Sequence, residues 1–187
     1  MLSISLAFSP SQPITLYTDI DNNLVWFPCH PFDCILCKNK PTTPTNPPKI
    51  TSTPFVPYNF AACSTAHSSL SSSHLYMIVG CPLETIETAD CSAFCCLSLY
   101  YTYDNGSLIT RLRRDGLLIP TSNSSAFPIL HLSNFTFGCA HTALGEPIGV
   151  ARFGRGALSL PAQLSAVSPG LDNRFSYCLI SHSLDVT

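Results

Sequence analysis

The sequence predicts an all-β domain with one or two short helices, and three observations support this class. Apolar and polar residues alternate in Leu2–Leu6, as they do in a half-buried strand. Two apolar segments, 97–103 and 108–112, flank Asn105-Gly106, a dipeptide typical of tight β-hairpins. The 187 residues include 16 prolines, which do not fit inside long helices. This length is enough for one domain that buries most of its unfolded surface.

The remaining elements follow from local patterns, and the strands are expected to be mostly antiparallel. Apolar runs predict further strands at 14–17, 24–29, 117–120, 127–132, 135–139, 148–151 and 175–180. Leu158–Val167 has helical spacing with Pro161 in its first turn, and 65–70 is a second short helix. The cysteine-rich segment 29–37 is expected to be a loop, and the Pro-rich segment 38–57 is expected to be an exposed extended loop. No internal repeat is visible.

Charge and hydropathy exclude two classes of partner. The formal net charge is −2, which gives no electrostatic support for binding nucleic acid or an anionic membrane. The sequence has no apolar run of about 18 residues, so no transmembrane segment is expected. Charged residues make up 11% of the chain, well below the ~25% typical of soluble domains.

The ten cysteines indicate a disulfide-forming compartment, because reducing compartments rarely hold such a domain. Three N-glycosylation sequons, at Asn105, Asn123 and Asn134, support a secretory route. Met1 nevertheless opens directly into a predicted strand, without a basic and apolar leader. We therefore expect this chain to be a piece of something longer.

The segment Leu16–Cys29 has two interpretations. It contains an apolar strand, an acidic turn around Asp19, and a second apolar strand that carries the only tryptophan, Trp26. Residues of this type form ordinary hairpins, in which Asp and Asn serve the turn geometry. A carboxylate held at the tip of rigid strands is also what acid catalysis requires. The residues alone leave both interpretations open.

Three other patterns could indicate a ligand site, but each has a structural explanation. Cys29, Cys34 and Cys37 have the spacing of some iron–sulfur ligands, with Cys139 as a possible fourth, but disulfides fit the other features better. Gly154-Arg155-Gly156 resembles a phosphate loop, yet no Lys-Ser/Thr follows it, which favours a structural bend. The six histidines are scattered, without a pair at ligand spacing. No metal and no cofactor are expected.

Taken together, the motifs resemble the pepsin-like aspartic proteases, and in particular their plant, nepenthesin-like branch. The first active-site pattern of that family, Asp-Thr-Gly-Ser-x-Leu-x-Trp, resembles 19–26, and the flap pattern Tyr-x-Tyr-Gly-Asp-Gly-Ser resembles 101–107. The cysteine-rich insert begins at Cys29 in the matching position. Further matching segments follow in the family's order, at 135–139, 149–156, 159–164 and 175–179.

This resemblance implies a fold and a chemistry. Family members have two lobes, each of which supplies one Asp of a pair that shares a proton and activates water for peptide hydrolysis. Asp19 would be the first Asp, Tyr103 the flap tyrosine, and Trp26 its hydrogen-bonding partner. Residues 1–187 would be the N-terminal lobe, with an insert at about 29–96 and the flap at about 97–114. The C-terminal lobe would then be absent from this chain.

Several residues depart from the family's pattern. Ile20 and Asp21 stand at the Thr and Gly of the active-site loop, Asp104 replaces a flap Gly, and Arg152 replaces a Gly behind the loop. These changes predict an inactive lobe, and we expect Asp21 and Arg152 to form a compensating ion pair. The alternative from another class is a non-catalytic binding protein, like the xylanase-inhibitor relatives. A fragment without function, and a homodimer with a shared site, are further alternatives.

The resemblance also implies disulfide pairs and partners. It pairs Cys37 with Cys139 and Cys29 with Cys34, and it leaves Cys178 unpaired. The family's cysteines are replaced at 58 and 76, so we expect their orphaned partners, Cys63 and Cys81, to bond to each other. The remaining disulfide candidates are Cys91, Cys95 and Cys96. The implied partners are peptide or protein substrates, the missing C-terminal lobe and, through self-association, a second copy of the chain. The implied location is extracellular or in the cell wall.

Overall fold

A computed structural model describes residues 2–6, 12–20, 23–37, 47–50, 53–68, 95–103, 106–120, 129–145 and 148–176. Within these residues, seven strands and two α-helices confirm the all-β prediction. The strands are β1 (Leu2–Leu6), β2 (Gln12–Asp19), β3 (Trp26–Ile35), β4 (Leu99–Tyr103), β5 (Gly106–Pro120), β6 (Ile129–Leu144) and β7 (Gly149–Arg152). The helices are α1 (Ala61–Ser68) and α2 (Leu160–Val167), and a 3₁₀ turn follows at Pro169–Leu171.

The sheet closes on itself. Its strand order is β1-β2-β7-β3-β6-β5-β4, and β1 also pairs with β5, so six of the strands form a closed barrel. The strand β4 lies outside this circuit and forms the predicted hairpin with β5, in which Tyr101 faces Leu108. Most pairs are antiparallel, but β2–β7 and β3–β6 are parallel.

The hairpin interpretation of Leu16–Cys29 is wrong, because β2 and β3 are not neighbours. The strand β7 lies between them, parallel to β2 and antiparallel to β3. Gly149 opens β7, and a Cβ there would lie only 2.5 Å from Leu16 Cδ2 and 2.7 Å from Phe27 Cβ. Glycine at this position therefore lets the three strands approach closely.

Several predicted elements are longer or shifted. The segments predicted at 108–112 and 117–120 form one strand, β5. Those predicted at 127–132 and 135–139 lie in one strand, β6, except for residues 127 and 128, which are outside the described residues. The strand β3 continues through the cysteine-rich segment, which was expected to be a loop. The helix α1 begins four residues before the predicted 65–70, and Leu70 lies outside the described residues. Phe175 and Ser176 are not in a strand, and the rest of the predicted strand 175–180 is not described.

The helix α2 begins as the sequence predicts. Ser159 caps it by accepting a hydrogen bond from the Ala162 amide at 3.4 Å, and Pro161 lies in the first turn. Gln163 ties the helix to β6, because its amide group accepts from Thr136 N and donates to Thr136 O. The prediction for 158–167 is therefore confirmed to within two residues.

The barrel core is aromatic and aliphatic. Phe27 and Phe137 stack with their ring centroids 4.6 Å apart, and Leu16 packs in the same cluster. A second cluster, around Val56 and Leu112, lies beneath α1. Neither helix of the described residues has the length and apolar character that a bilayer crossing requires. The rigid barrel holds the ends of β2 and β7, where the candidate site lies.

Candidate functional site

Asp19 is the last residue of β2, and the sheet places it directly beside β7. In the parallel register of these strands, Asp19 pairs with Arg152. The amide of Phe153 donates a hydrogen bond of 2.8 Å to the carbonyl of Asp19. The backbone positions of these residues are therefore fixed by the ladder.

The Asp19 carboxylate forms an ion pair with the Arg152 guanidinium, through Oδ2 and Nη1. The Arg152 side chain is only 3% exposed, while that of Asp19 is 32% exposed. Burial lowers the pKa of Arg152 to about 10, which still leaves the guanidinium charged at acid and neutral pH. A buried cation of this kind is costly without a counter-ion, so Asp19 has a structural role.

The expected partner of Arg152 was Asp21, which lies outside the described residues. The partner found in the described part of the chain is Asp19, two positions earlier and directly across the ladder. Ile20, at the family's Thr position, is 56% exposed. The substitution at Arg152 thus acts on the candidate catalytic residue itself.

The flap hairpin also contacts the ion pair. The guanidinium carbon of Arg152 lies 5.6 Å from the centroid of the Tyr101 ring, within the range of a cation–π contact. Tyr101 packs against a cluster that contains Trp26 and Val150. Burial raises the pKa of Tyr101 to about 12, so its phenol is neutral at physiological pH.

The structure places the other predicted site residues as follows. Trp26 opens β3 and is buried against Leu108 and Val150. The Tyr103 backbone pairs with Gly106 in the flap, but its side chain is not among those described. The contact between Tyr103 and Trp26 therefore stays a prediction. Sequence reasoning missed Tyr101, although its position two residues before Tyr103, on the same face of the strand, is a usable signal.

The glycine-rich bend after β7 anchors the turn after β2. Asn23 Oδ1 accepts a hydrogen bond of 2.8 Å from the Gly156 amide. A Cβ on Gly156 would lie 2.4 Å from Asn23 Cγ, so glycine is needed for this approach. The bend thus uses a backbone amide for an internal contact, which agrees with the structural interpretation of Gly154-Arg155-Gly156.

The disulfides differ from the pairs that the resemblance implied. Cys29 bonds to Cys139, and Cys34 bonds to Cys37, so the two predicted pairs are exchanged. The register of β3 on β6 sets Phe27 opposite Cys139 and brings Cys29 to a Cα separation of 5.4 Å from Cys139. Leu36 has φ of 62°, and its left-handed turn returns Cys37 to 5.6 Å from Cys34.

The expected Cys63–Cys81 bond is also wrong, because Cys63 bonds to Cys96. The amide of Cys96 donates to the Val56 carbonyl at 2.7 Å, which aligns this segment with the residues that lead into α1. Cys95 is exposed and makes no disulfide in the described part of the chain. Cys81, Cys91 and Cys178 lie outside the described residues.

One of the three glycosylation candidates can be located. Asn134 is exposed on β6, with φ of 63°, while the next two residues of its sequon are buried. Asn105 and Asn123 are outside the described residues. Glycosylation at all three positions stays a prediction.

Comparison with known proteins decides the family. A family model described as xylanase inhibitor N-terminal matches residues 4–186, nearly the whole chain. The chain belongs to the xylanase inhibitor N-terminal family. The matched residues include the barrel strands, the flap hairpin and Asp19.

Two curated relatives connect this xylanase inhibitor N-terminal domain to aspartic proteases. A "probable aspartyl protease" of Arabidopsis thaliana is 52% identical over 188 residues, covering 99% of this chain and 36% of that protein. Aspartic proteinase nepenthesin-1 of Nepenthes gracilis is 27% identical over 183 residues, covering 96% of this chain and 33% of that protein. The resemblance to a pepsin-like N-terminal lobe is confirmed, and the chain spans about a third of these relatives.

A solved structure supports the fold alone. Conglutin gamma, a basic 7S globulin from lupine seeds, matches with a TM-score of 0.54 and 16% identity. The match covers 89% of this chain and 39% of the globulin chain. At this identity the likeness says nothing about activity.

Proposed function

We propose that this chain is a non-catalytic, aspartic-protease-like lobe in which Asp19 serves as the counter-ion of Arg152. The observation that carries the proposal is the ion pair between the Asp19 carboxylate and the buried Arg152 guanidinium. In this proposal the carboxylate that would activate water in a protease is used to neutralise a charge inside the fold.

The chemistry of the family explains why this ion pair is incompatible with catalysis. Two facing carboxylates share one proton because both cannot easily ionise together, and this shared proton is part of the mechanism. A guanidinium beside one carboxylate favours its ionised form. Since Arg152 remains protonated at acid pH, it holds the Asp19 carboxylate in the ion pair, where that carboxylate is a weaker base towards the water that it would activate.

The proposal also concerns the substrates and the location of the chain. Peptides or proteins are the substrates that the resemblance implies, and a second lobe would supply the other Asp. We propose an extracellular or cell-wall setting, which the three disulfides of the described residues support. Because hydrolysis needs a free Asp19, peptide contact without cleavage is the activity left to this lobe.

An acid-pH peptidase assay tests the proposal. We expect no hydrolysis that a pepstatin-type inhibitor suppresses, with either the purified chain or its Asp19→Asn variant. Pepstatin-sensitive hydrolysis that Asp19→Asn abolishes would overturn the proposal. In the Arg152→Gly variant, NMR of the Asp19 carboxyl should show proton uptake at a higher pH than in the unmodified chain. Identical titrations would show that Arg152 does not control this carboxylate.

The second candidate is a binding protein that acts on glycoside hydrolases. It is favoured by the family model, whose description is a xylanase inhibitor N-terminal domain, and by an active-site loop altered at Ile20 and Asp21. The test is a xylanase assay with increasing amounts of the chain. Dose-dependent inhibition would support this function, and unchanged activity at saturating chain would rule it out for the xylanase used.

A further inference from the structure

A cluster of three potential metal ligands lies about α1, in a part of the molecule that the proposed function does not use. Cys63 and His67 are four residues apart on α1, so they lie on one face of the helix. Cys96 is held next to them by its backbone hydrogen bond to Val56. The Sγ atoms of both cysteines and a ring nitrogen of His67 all lie within 4.8 Å of one another.

The imidazole of His67 lies beside these two sulfur atoms. Both of its ring nitrogens are buried, and neither has hydrogen-bond geometry to a described partner. Buried polar atoms without partners are costly, so such an atom points to a missing ligand. The Leu97 backbone lies near the ring. A neutral imidazole nitrogen is a common metal ligand.

We propose that the Cys63–Cys96 disulfide and a zinc site are alternative states of these same two sulfur atoms. In the oxidised state the two sulfurs bond to each other, as the structure shows. A dithiol reductant transfers two electrons and two protons to the disulfide, and is itself oxidised to its own disulfide. Zn²⁺ then bonds to both sulfurs and to a His67 nitrogen, and the two thiol protons pass to solvent.

The geometry of the cluster suits this metal. Zinc binds Cys sulfur at about 2.3 Å and His nitrogen at about 2.0–2.1 Å, usually in a tetrahedron. Two sulfurs on such a tetrahedron are about 3.8 Å apart, close to the separation that two non-bonded sulfurs adopt once the disulfide is cleaved. The three atoms already lie within 4.8 Å, so small side-chain rotations complete the site. Three protein ligands leave the fourth position for water or a small anion.

The experiment uses the full chain, reduced with a phosphine that does not compete strongly for zinc. The probe is Zn²⁺ alone, with Co²⁺ as the spectroscopic substitute, because thiolate–cobalt charge transfer reports sulfur ligation. Alkylation followed by peptide mapping then measures which thiols the metal protects. We expect zinc to protect Cys63 and Cys96 together.

Matched variants separate this site from the other thiols. His67→Asn should weaken zinc binding by at least about tenfold, since even changes outside the ligand shell cost that much. Cys63→Ser should abolish the cobalt–thiolate spectrum of this site. The control is the Cys34→Ser/Cys37→Ser double variant, which removes the other closely spaced cysteine pair and should leave zinc protection of Cys63 and Cys96 unchanged. Cys95→Ser, at the exposed neighbour, is a second control.

Three outcomes would overturn the proposal. One is that Cys63 and Cys96 are alkylated equally fast with and without zinc, whether or not the reduced chain stays folded. Another is that His67→Asn binds zinc as tightly as the unmodified chain. The third is loss of protection in the Cys34→Ser/Cys37→Ser control, which would place the metal on the other pair.

Discussion

Two buried arginines in the described residues, Arg152 and Arg113, satisfy their charges in different ways. Arg152, 3% exposed, pairs with the Asp19 carboxylate and lies over the Tyr101 ring. Arg113, 9% exposed, forms no ion pair with a carboxylate of the described residues: its Nη1 donates to the Thr53 carbonyl at 2.6 Å, and its guanidinium lies 4.0 Å from the Phe55 ring centroid. Within the part of the chain that the structure describes, Arg113 is therefore held by a carbonyl dipole and an aromatic ring.

The difference between the two arginines shows how Arg152 affects the candidate site. Burial, with a further contribution from Arg111, lowers the pKa of Arg113, as burial does for Arg152. Only Arg152, however, takes up a residue that carries chemistry in the family.

Asp19→Asn should have the largest effect on stability. It leaves the Arg152 guanidinium buried without a counter-ion, and breaking a buried pair in this way costs about 3–5 kcal/mol. Because Asp19 is 32% exposed, we expect roughly 3 kcal/mol, measured by urea unfolding. The double variant Asp19→Asn/Arg152→Gly should regain most of this loss. A single variant as stable as the unmodified chain would contradict a buried pair.

Arg113→Met should have an intermediate effect. The apolar side chain keeps much of the packing against Phe55, but the Thr53 carbonyl loses its donor, at a cost of about 1–2 kcal/mol. Arg111→Met is the matched control, since Arg111 is exposed and donates to Ser98 Oγ at 3.0 Å, and it should change the free energy of unfolding by less. Equal effects of the two variants would show that burial of Arg113 adds nothing.

Tyr101→Phe should change stability only at high pH. The folded-state pKa of Tyr101 is raised from 10.0 to about 12, so folding favours the neutral phenol. The resulting stabilisation is fully present below pH 10 and is lost as the pH rises through about 12. The variant should lack this loss. Phenolate absorbance should show a late component that disappears in Tyr101→Phe and persists in Tyr58→Phe, a change at an exposed ring.

Asn23→Ala should have the smallest effect. It removes the acceptor for the Gly156 amide at an exposed position, and we expect a loss of about 0.5–1 kcal/mol in chemical denaturation. Asn23→Asp retains an oxygen acceptor and should restore most of the stability. If both variants unfold alike, the hydrogen bond does not anchor the turn beside Asp19.

Local patterns predicted the flap hairpin and α2 well. They did not predict contacts between residues that are far apart in the sequence. The flap hairpin and α2 follow from residues close together in the sequence, Asn105-Gly106 and Ser159 with Pro161, so their prediction needed no tertiary information. The Asp19–Arg152 contact depends on β7 entering the sheet between β2 and β3, which a local pattern does not reveal. The disulfides failed for the same reason, because the register of β3 on β6 and the path of residues 95–96 decide which sulfurs meet.

The burial of Arg152 also determines the order in which the two residues of the ion pair can be lost without destabilising the fold. Losing Asp19 first would strand a buried cation, whereas losing Arg152 first leaves a half-exposed carboxylate that water can solvate. Selection for folding alone would therefore preserve Asp19 even without selection for catalysis. An aspartate retained at this position in a related gene therefore indicates peptidase activity only where the residue aligned with Arg152 is small and uncharged.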